Sequence, residues 1–441
     1  MKKYPEKTIG ELCDIQKGET GILSAIAGEY PLVTTGKERK TSATYQFDTQ
    51  AVCIPLVSSS GHGKKSLNYV HYQEGKFALG TILAAIIPKN NNEISADFLH
   101  QYLLFYKDIK IVPLMKGAAN VSLAVKDIAK IEIPLPPINE QKDFIVFFNE
   151  LQKFNDELIR EFEKQEKYVS QLKQAILQEA IAGQLTAEWR TQNPMQKGNP
   201  DTDAAALLAK SKAEKQQLIA DGKLKKEKPL PEISPDEIPF SLPESWVWCR
   251  LGNITTLITD GKHGDCQNEA NSGYYFLSAK DIQSGKLVYE NSRQITFKDF
   301  AEVHKRTNLE AGDICLVNTG ATIGKTAIVP SHEFTAKTTF QKSVAVIKVL
   351  KKLISIQYLE KILISETSKL LEISKGSAIN NLLLGDLRNQ LIPLPPLAEQ
   401  KAIAEKVDRL METIDQLEQQ IKHRKELAED LMQTVLREAF E

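Results

Sequence analysis

Apolar positions in this chain keep two different periods, and the change of period divides it. From Asn139 onward they recur at alternating intervals of four and three. With Phe144 as position a of a heptad, the a series is Phe144, Leu151, Leu158, Gln165, Leu172 and the d series Phe148, Asn155, Phe162, Val169, Ile176. The template fits again 259 residues further on (144 to 403), with a at Ile403, Leu410, Leu417, Arg424, Leu431 and d at Val407, Ile414, Ile421, Ala428, Val435. Five heptads of this spacing predict two long amphipathic helices that pack on each other. The apolar members, Gln165, Asn155, Arg424 and Ala428 aside, are the expected core of that pairing.

Each helical pattern opens on nearly the same words, IPLPPINEQKDF at 133–144 and IPLPPLAEQKAI at 392–403. Pro134, Pro136 and Pro137, like Pro393, Pro395 and Pro396, force extended backbone, so each helix must begin after them. Glu140 and Glu399 then fall in the first turn, where a carboxylate meets the positive helix end. The match runs without a gap from Lys116-Gly117-Ala118 onto Lys375-Gly376-Ser377, and from Leu172-Lys173-Gln174 onto Leu431-Met432-Gln433. Equal length kept to the residue implies that length matters. About 40 residues at about 1.5 Å each make a ruler of about 60 Å.

The blocks ahead of each helix read as mixed strand and short helix, with apolar runs such as Ala51-Val52-Cys53-Ile54 and Asp313-Ile314-Cys315-Leu316-Val317 set between Gly, Ser, Thr and Asn. They resemble each other loosely, Thr8–Leu12 matching Arg250–Ile254 at an offset of 242, so the second block carries roughly 17 extra residues (259 less 242). Divergent blocks on a repeated ruler fit two different targets on one scaffold; drift in loops gives the same appearance. Between the halves, Gly183-Gln184-Leu185-Thr186 reads as a helix stop, Ala204–Lys228 as a charged helix, and prolines at 229, 231, 235, 239 and 243 as an extended lead-in. The expected organisation is therefore a domain over 1–132, a helix over 133–182, a linker with one helix over 183–240, a second domain over 241–391 and a second helix over 392–441. The fold class is α+β. Antiparallel helices would let the first helix end where the second block sits, giving pseudo-twofold symmetry.

Composition adds limits. At 441 residues, 42% hydrophobic and 26% charged, the chain suits two or three globular units. No apolar run approaches the roughly 20 residues of a membrane span, and the Met-Lys-Lys-Tyr-Pro-Glu start lacks a signal peptide's apolar stretch, so a soluble cytoplasmic protein is expected. Cys13, Cys53, Cys249, Cys266 and Cys315 stand singly, without zinc spacing to the seven histidines. The net charge of −1 hides a division: each globular block comes to +3 (16 against 13, and 18 against 15), the helices to −3 and −4, and the linker to zero. The blocks, and not the helices, are the parts suited to an anion such as DNA.

Candidate chemistry is sparse. Thr319-Gly320-Ala321-Thr322-Ile323-Gly324-Lys325-Thr326 looks like a phosphate loop, but Thr319 stands where a Walker A motif has its first glycine. It reads as a strand-to-strand turn, or as a loop whose amides, with Thr319, Thr322 and Lys325, approach a DNA phosphate or base edge. After the corresponding apolar strand of the first block comes Ser58-Ser59-Ser60-Gly61-His62-Gly63-Lys64-Lys65, where Ser58, Ser60, Lys64 and Lys65 are candidates for phosphate contact and a solvated loop is the bland alternative. Lys37, Arg39 and Lys40, and in the second block Lys262, His263, Lys337 and Gln341, complete the DNA-binding candidates. No Asn-Pro-Pro-aromatic motif, H-E-x-x-H or nucleophile elbow is present. Nothing reads as catalytic or as a metal site.

The whole order, from variable block through I-P-L-P-P-x-x-E-Q, long helix, Gly183-Gln184-Leu185-Thr186-Ala187-Glu188-Trp189-Arg190 and Leu242-Pro243-Glu244-Ser245-Trp246-Val247-Trp248 to second block and helix, resembles the specificity subunit of type I restriction-modification systems. The resemblance implies two target recognition domains separated by two conserved helices in an antiparallel coiled coil, each domain reading one half of a bipartite double-stranded DNA target. It implies two methyltransferase subunits docked on the helices, with an ATP-driven translocase and nuclease subunit as an optional further partner, and no membrane. This chain is then non-catalytic and binds no cofactor, S-adenosylmethionine, ATP and Mg being expected on the partners. Two other readings stay open on physics alone: a coiled-coil scaffold holding proteins without DNA specificity, and an enzyme using the near-phosphate loop.

Overall fold

The computed structural model describes residues 4–60, 63–118, 120–367, 371 and 381–439. The chain forms two compact units, Met1–Gln165 with Ile421–Glu441, and Glu166–Gln420. Each contains one mixed α/β domain and parts of both long helices.

In the first unit a four-stranded antiparallel sheet has the order Cys13–Lys17, Leu83–Pro88, Ala51–Pro55, His71–Gln73. In the second unit the same order is made by Thr255–Asp260, Val344–Val349, Ile314–Val317 and Thr326–Ile328. The central strands, Leu83–Pro88 and Ala51–Pro55 in one sheet, Ile314–Val317 and Val344–Val349 in the other, are almost entirely buried, which is why they read as unbroken apolar runs. A short strand before each sheet closes antiparallel on the strand that leads into the long helix: Glu6–Thr8 with Glu132–Pro134, and Val247–Arg250 with Leu391–Leu394. The extra residues of the second domain are the hairpin Ile282–Gln283 with Lys286–Leu287 and the helix Phe297–Thr307.

The long helices span Ile138–Ile181 and Leu397–Glu438, starting 259 residues apart, directly after Pro137 and Pro396. Within the second unit their direction is fixed by side chains. Lys173 donates to Asp415 and Glu418, at 2.9 Å each, and Lys406 donates to the Leu185 carbonyl, so advancing along the first helix retreats along the second: they are antiparallel.

Burial corrects part of the heptad reading. Phe148, Phe162, Val169, Ile176, Ile403, Val407, Ile414 and Ile421 are buried, and Phe144, Leu151, Leu158, Leu410 and Val435 half-buried. Leu172, Leu417 and Leu431 are instead 46%, 41% and 61% exposed. A straight helix drifts about 20° per heptad against a 3.5-residue repeat, and a helix with a single neighbour covers a narrow stripe. That stripe follows the d series, and near the second helix's end it moves to Met432 and Leu436, which pack with Phe148 and Leu151.

The segment expected as a linker with one helix has two, Ala187–Gln192 and Ala204–Ala220. The second stops short of Lys228 because Gly222 turns left-handed (φ 72°) and the Lys223 amide closes back onto the Leu218 carbonyl. The lead-in is packed rather than free: Glu227 pairs with Arg388 at 2.6 Å, and buried Arg250 donates to the Pro231 and Glu232 carbonyls and to Glu237. All five cysteines are buried thiols, and burial pushes those of Cys13, Cys53 and Cys249 up to about 12. Among the described residues, no helix is long and apolar enough to cross a membrane.

Candidate nucleic-acid interface

Strand register gathers most of the candidate residues at one end of each sheet. In the second domain Asp260 lies opposite Ala345, and Val317 opposite Val344. The loops after Asp260, before Val344 and after Val317 therefore leave from the same edge. They carry Lys262 and His263, Gln341, and Thr319, Thr322 and Lys325 respectively. Backbone bonds stitch them together: Lys262 bridges Gln341, and the Asn318 amide donates to Ser343. Gly261 is required at this crossing, since a Cβ there would lie 1.9 Å from the Phe340 carbonyl oxygen. Lys337, exposed at the far end of the strand Thr338–Phe340, is not at this edge.

The near-phosphate loop connects two antiparallel strands, Ile314–Val317 and Thr326–Ile328, with no helix to follow it. Gly320 and Gly324 take φ of 96° and 91°, and the Gly324 amide closes the turn on the Val317 carbonyl at 2.9 Å. Thr319 donates its hydroxyl to Asn381 Oδ1 at 2.8 Å, anchoring the loop to the segment ahead of Leu382, whose amide bonds Asn318. Lys325 is exposed and Thr322 half-buried.

The first domain repeats the construction. Lys17 faces Ala84 and Pro55 faces Leu83, so the loop after Pro55 leaves from the equivalent edge. Ser58 is its hub, donating to the Lys64 carbonyl at 2.6 Å and accepting from the amides of Ser60 and Ser66, while Ser60 and Ser66 share a hydroxyl pair at 2.6 Å. Lys64 and Lys65 are exposed, and Gly61 and His62 lie outside the described residues. Val57 bridges Ser122, as Thr319 bridges Asn381; 122 and 381 differ by the repeat offset of 259. Ser122 and Asn381 thus flank loops whose composition differs between the domains; Ala119 and residues 372–380 lie outside the described residues.

Lys37 and Arg39 belong to a turn that leaves the strand Tyr30–Val33 beside the same edge, where the Gly80 amide donates to Val33, and Lys40 opens the strand Lys40–Ser42 that pairs back with it. Lys37 and Lys40 are exposed. Arg39 is committed internally: it donates to Gln73 Oε1 and the Tyr72 carbonyl, and lies 3.2 Å from His71 Nδ1. Burial lowers the Arg39 pKa, and burial with this guanidinium pushes His71 down to about 4.

Charge at the second edge is balanced. Lys262 pairs with Glu302 at 3.1 Å and Asp299 at 3.5 Å, and its hydrogen bond to Glu302 raises its pKa. His263 meets Asp260 at 2.8 Å, and Arg306 pairs with the same carboxylate. Such cations can reach a phosphate only by exchanging partners. Sequence reasoning missed Lys280, exposed in the loop after Tyr275–Leu277. The Gln341 amide donates to Leu277 as that of Gly80 does to Val33, so Lys280, three residues past Leu277, follows the same edge strand as Lys37, four residues past Val33. The available signal is a lysine shortly after an apolar strand end in both blocks, Val33-Thr34-Thr35-Gly36-Lys37 and, one residue shorter, Leu277-Ser278-Ala279-Lys280.

It missed, too, why the repeated motif ends in Glu-Gln. Gln141 and Gln400 are fully buried; each accepts from the N-cap amide of the domain's helix, Ser95 or Ser355, and donates to a carbonyl of its own proline segment, Pro136 or Pro395. These bonds key each long helix into its domain.

The sequence model described as "Type I restriction modification DNA specificity domain" matches residues 1–167 and 243–425. The chain is 29% identical over 265 residues to the type I restriction enzyme EcoEI specificity subunit of Escherichia coli, covering 58% of this chain and 42% of that one. It is 31% identical over 268 residues to the EcoAI specificity subunit of Escherichia coli, covering 59% and 43%. The chain thus spans under half the length of these two relatives in the match. A chain in a structure described for complex assembly and conformational transition of the type I R-M system aligns over 100% of this chain and 98% of its own at 16% identity, with a TM-score of 0.59, which shows a common fold. With both halves of its repeat matched, the chain belongs to the type I restriction-modification DNA specificity family.

Proposed function

We propose that this chain is the DNA-reading, non-catalytic subunit of a type I restriction-modification complex, each domain reading one half of a bipartite double-stranded target through the loops at its sheet edge. The observation that carries this reading is the pairing of like scaffold with unlike loops. Strand order, edge and the bridge from the loop to Ser122 or Asn381 repeat, whereas Ser58–Lys65 and Asn318–Lys325 share little. Phosphate contacts position a protein without specifying sequence, so they suit repeated parts; base contacts specify, so they suit the parts that differ.

The antiparallel helices set the unspecified gap between the two half-sites, and their exposed faces dock two methyltransferase subunits. Val146, Phe154, Tyr168 and Leu427 are 58%, 58%, 55% and 53% exposed, and with Leu172 and Leu431 they supply apolar contact area on otherwise charged helices. Methyl transfer from S-adenosylmethionine, and any ATP- and Mg-dependent translocation and cleavage, reside on partner subunits, the second being optional.

Transplanting a different loop at Asn318–Lys325 into the full complex tests the reading. One half of the methylated motif changes and the other half and the gap persist. Change in both halves, or in neither, contradicts it.

A further inference from the structure

The two motifs at the ends of the linker, Gly183–Arg190 and Leu242–Trp248, meet at one carboxylate. Glu399, in the first turn of the second long helix, is fully buried. It accepts from Thr186 Oγ1 at 2.7 Å and Trp246 Nε1 at 2.7 Å, and Arg190 pairs with it. The other arm of the Arg190 guanidinium donates to the carbonyl of Gly183, and its face lies 5.8 Å from the Trp246 ring. Gly183 holds φ 75° there, with Pro243 packed where a Cβ would lie. The end of one long helix, the start of the other and the entry to the second domain are thus tied at a single point.

The first unit makes part of an equivalent knot of its own. Tyr4, which is Trp246 less the domain offset of 242, donates at 2.8 Å to Glu140, which is Glu399 less the helix offset of 259. An aromatic donor just ahead of the first strand meets a first-turn glutamate in both units, although the loops at the two sheet edges differ. A carboxylate buried this deeply holds its position only while its donors do.

We infer that Arg190, Glu399 and Trp246 are positioning residues that fix the second recognition domain on the helical ruler, and so fix the gap in the bipartite target. The inference rests on the proposed function. One base pair advances about 3.4 Å along DNA, a small displacement beside the length of the helices, so loosening this tie relaxes the gap before it affects either half-sequence.

The test is methylation mapping in cells carrying the intact complex with Arg190→Ala or with Trp246→Phe, which keeps the ring and deletes its N–H donor. The expected result is methylation at sites whose gap is one base pair longer or shorter, with both half-sequences retained. A gap as strict as in the unaltered chain, with only a lowered melting temperature, overturns the inference and reduces the knot to a structural brace. Should Arg190→Ala fail to assemble, Trp246→Phe alone decides between the same outcomes. The unaltered chain separates the premise: absence of a split motif there refutes the proposed function and the inference with it.

Discussion

Phe148 and Leu431 occupy core positions of the same heptad template, and truncating each to alanine should have very different costs. Phe148 is fully buried, within 5.0 Å of the Phe105 ring and packed with Leu151, Met432 and Leu436. A buried aromatic hides about 200 Å², and at about 25 cal/mol/Å² that is about 5 kcal/mol. Alanine keeps a small part, leaving a loss of about 4 kcal/mol, within the range of about 3–5 kcal/mol measured for such truncations. Leu431 is 61% exposed, and its truncation should cost about 0.5 kcal/mol or less. Urea denaturation of the two variants, followed by helical circular dichroism with the slope fitted separately, measures both. Comparable losses would refute the narrow buried stripe and restore the full heptad seam.

Other expectations concern the recognition edges and pH. Lys65→Ala and Lys325→Ala should each weaken DNA binding across all sequences and reduce the salt slope of the binding constant by about 1, read by fluorescence anisotropy of the full complex at several ionic strengths. Gln341→Ala should relax one half-sequence at a cost of about 1–3 kcal/mol and leave the other intact, measured by competition with single-base variants. His71 titrates at about 4 in the fold against 6.5 unperturbed. Its folded value is depressed, so the unfolded chain takes up the proton first, and stability present above pH 6.5 is lost as pH falls toward 4. Replacing it by Gln should flatten the urea midpoint across that window; an unchanged slope would place the acid sensitivity elsewhere.

Long-range periodicity and repetition were legible because they are written in one dimension. The helix starts, 259 residues apart, follow from prolines that cannot enter a helix, and the buried strands from their apolar runs. What the sequence left hidden depends on partners distant along the chain. Gln141 and Gln400 look like surface residues until Ser95 and Ser355 are placed beside them. Arg39 looks like a free cation until His71, Tyr72 and Gln73 surround it. The exposure of Leu172, Leu417 and Leu431 depends on how many neighbours a helix has, which a heptad does not encode. The segment expected as a linker is held by Arg250 and Arg388, residues of the domain it leads into.

Single-molecule sequencing of adenine methylation in DNA from cells carrying this gene with the methyltransferase proposed as its partner, compared with a deletion of this gene alone, tests the proposed function most directly. The expected result is a split motif with one modified adenine in each half, lost on deletion. Methylation that is unchanged by the deletion, with the partner expressed, would contradict it and favour a helical protein-binding scaffold instead.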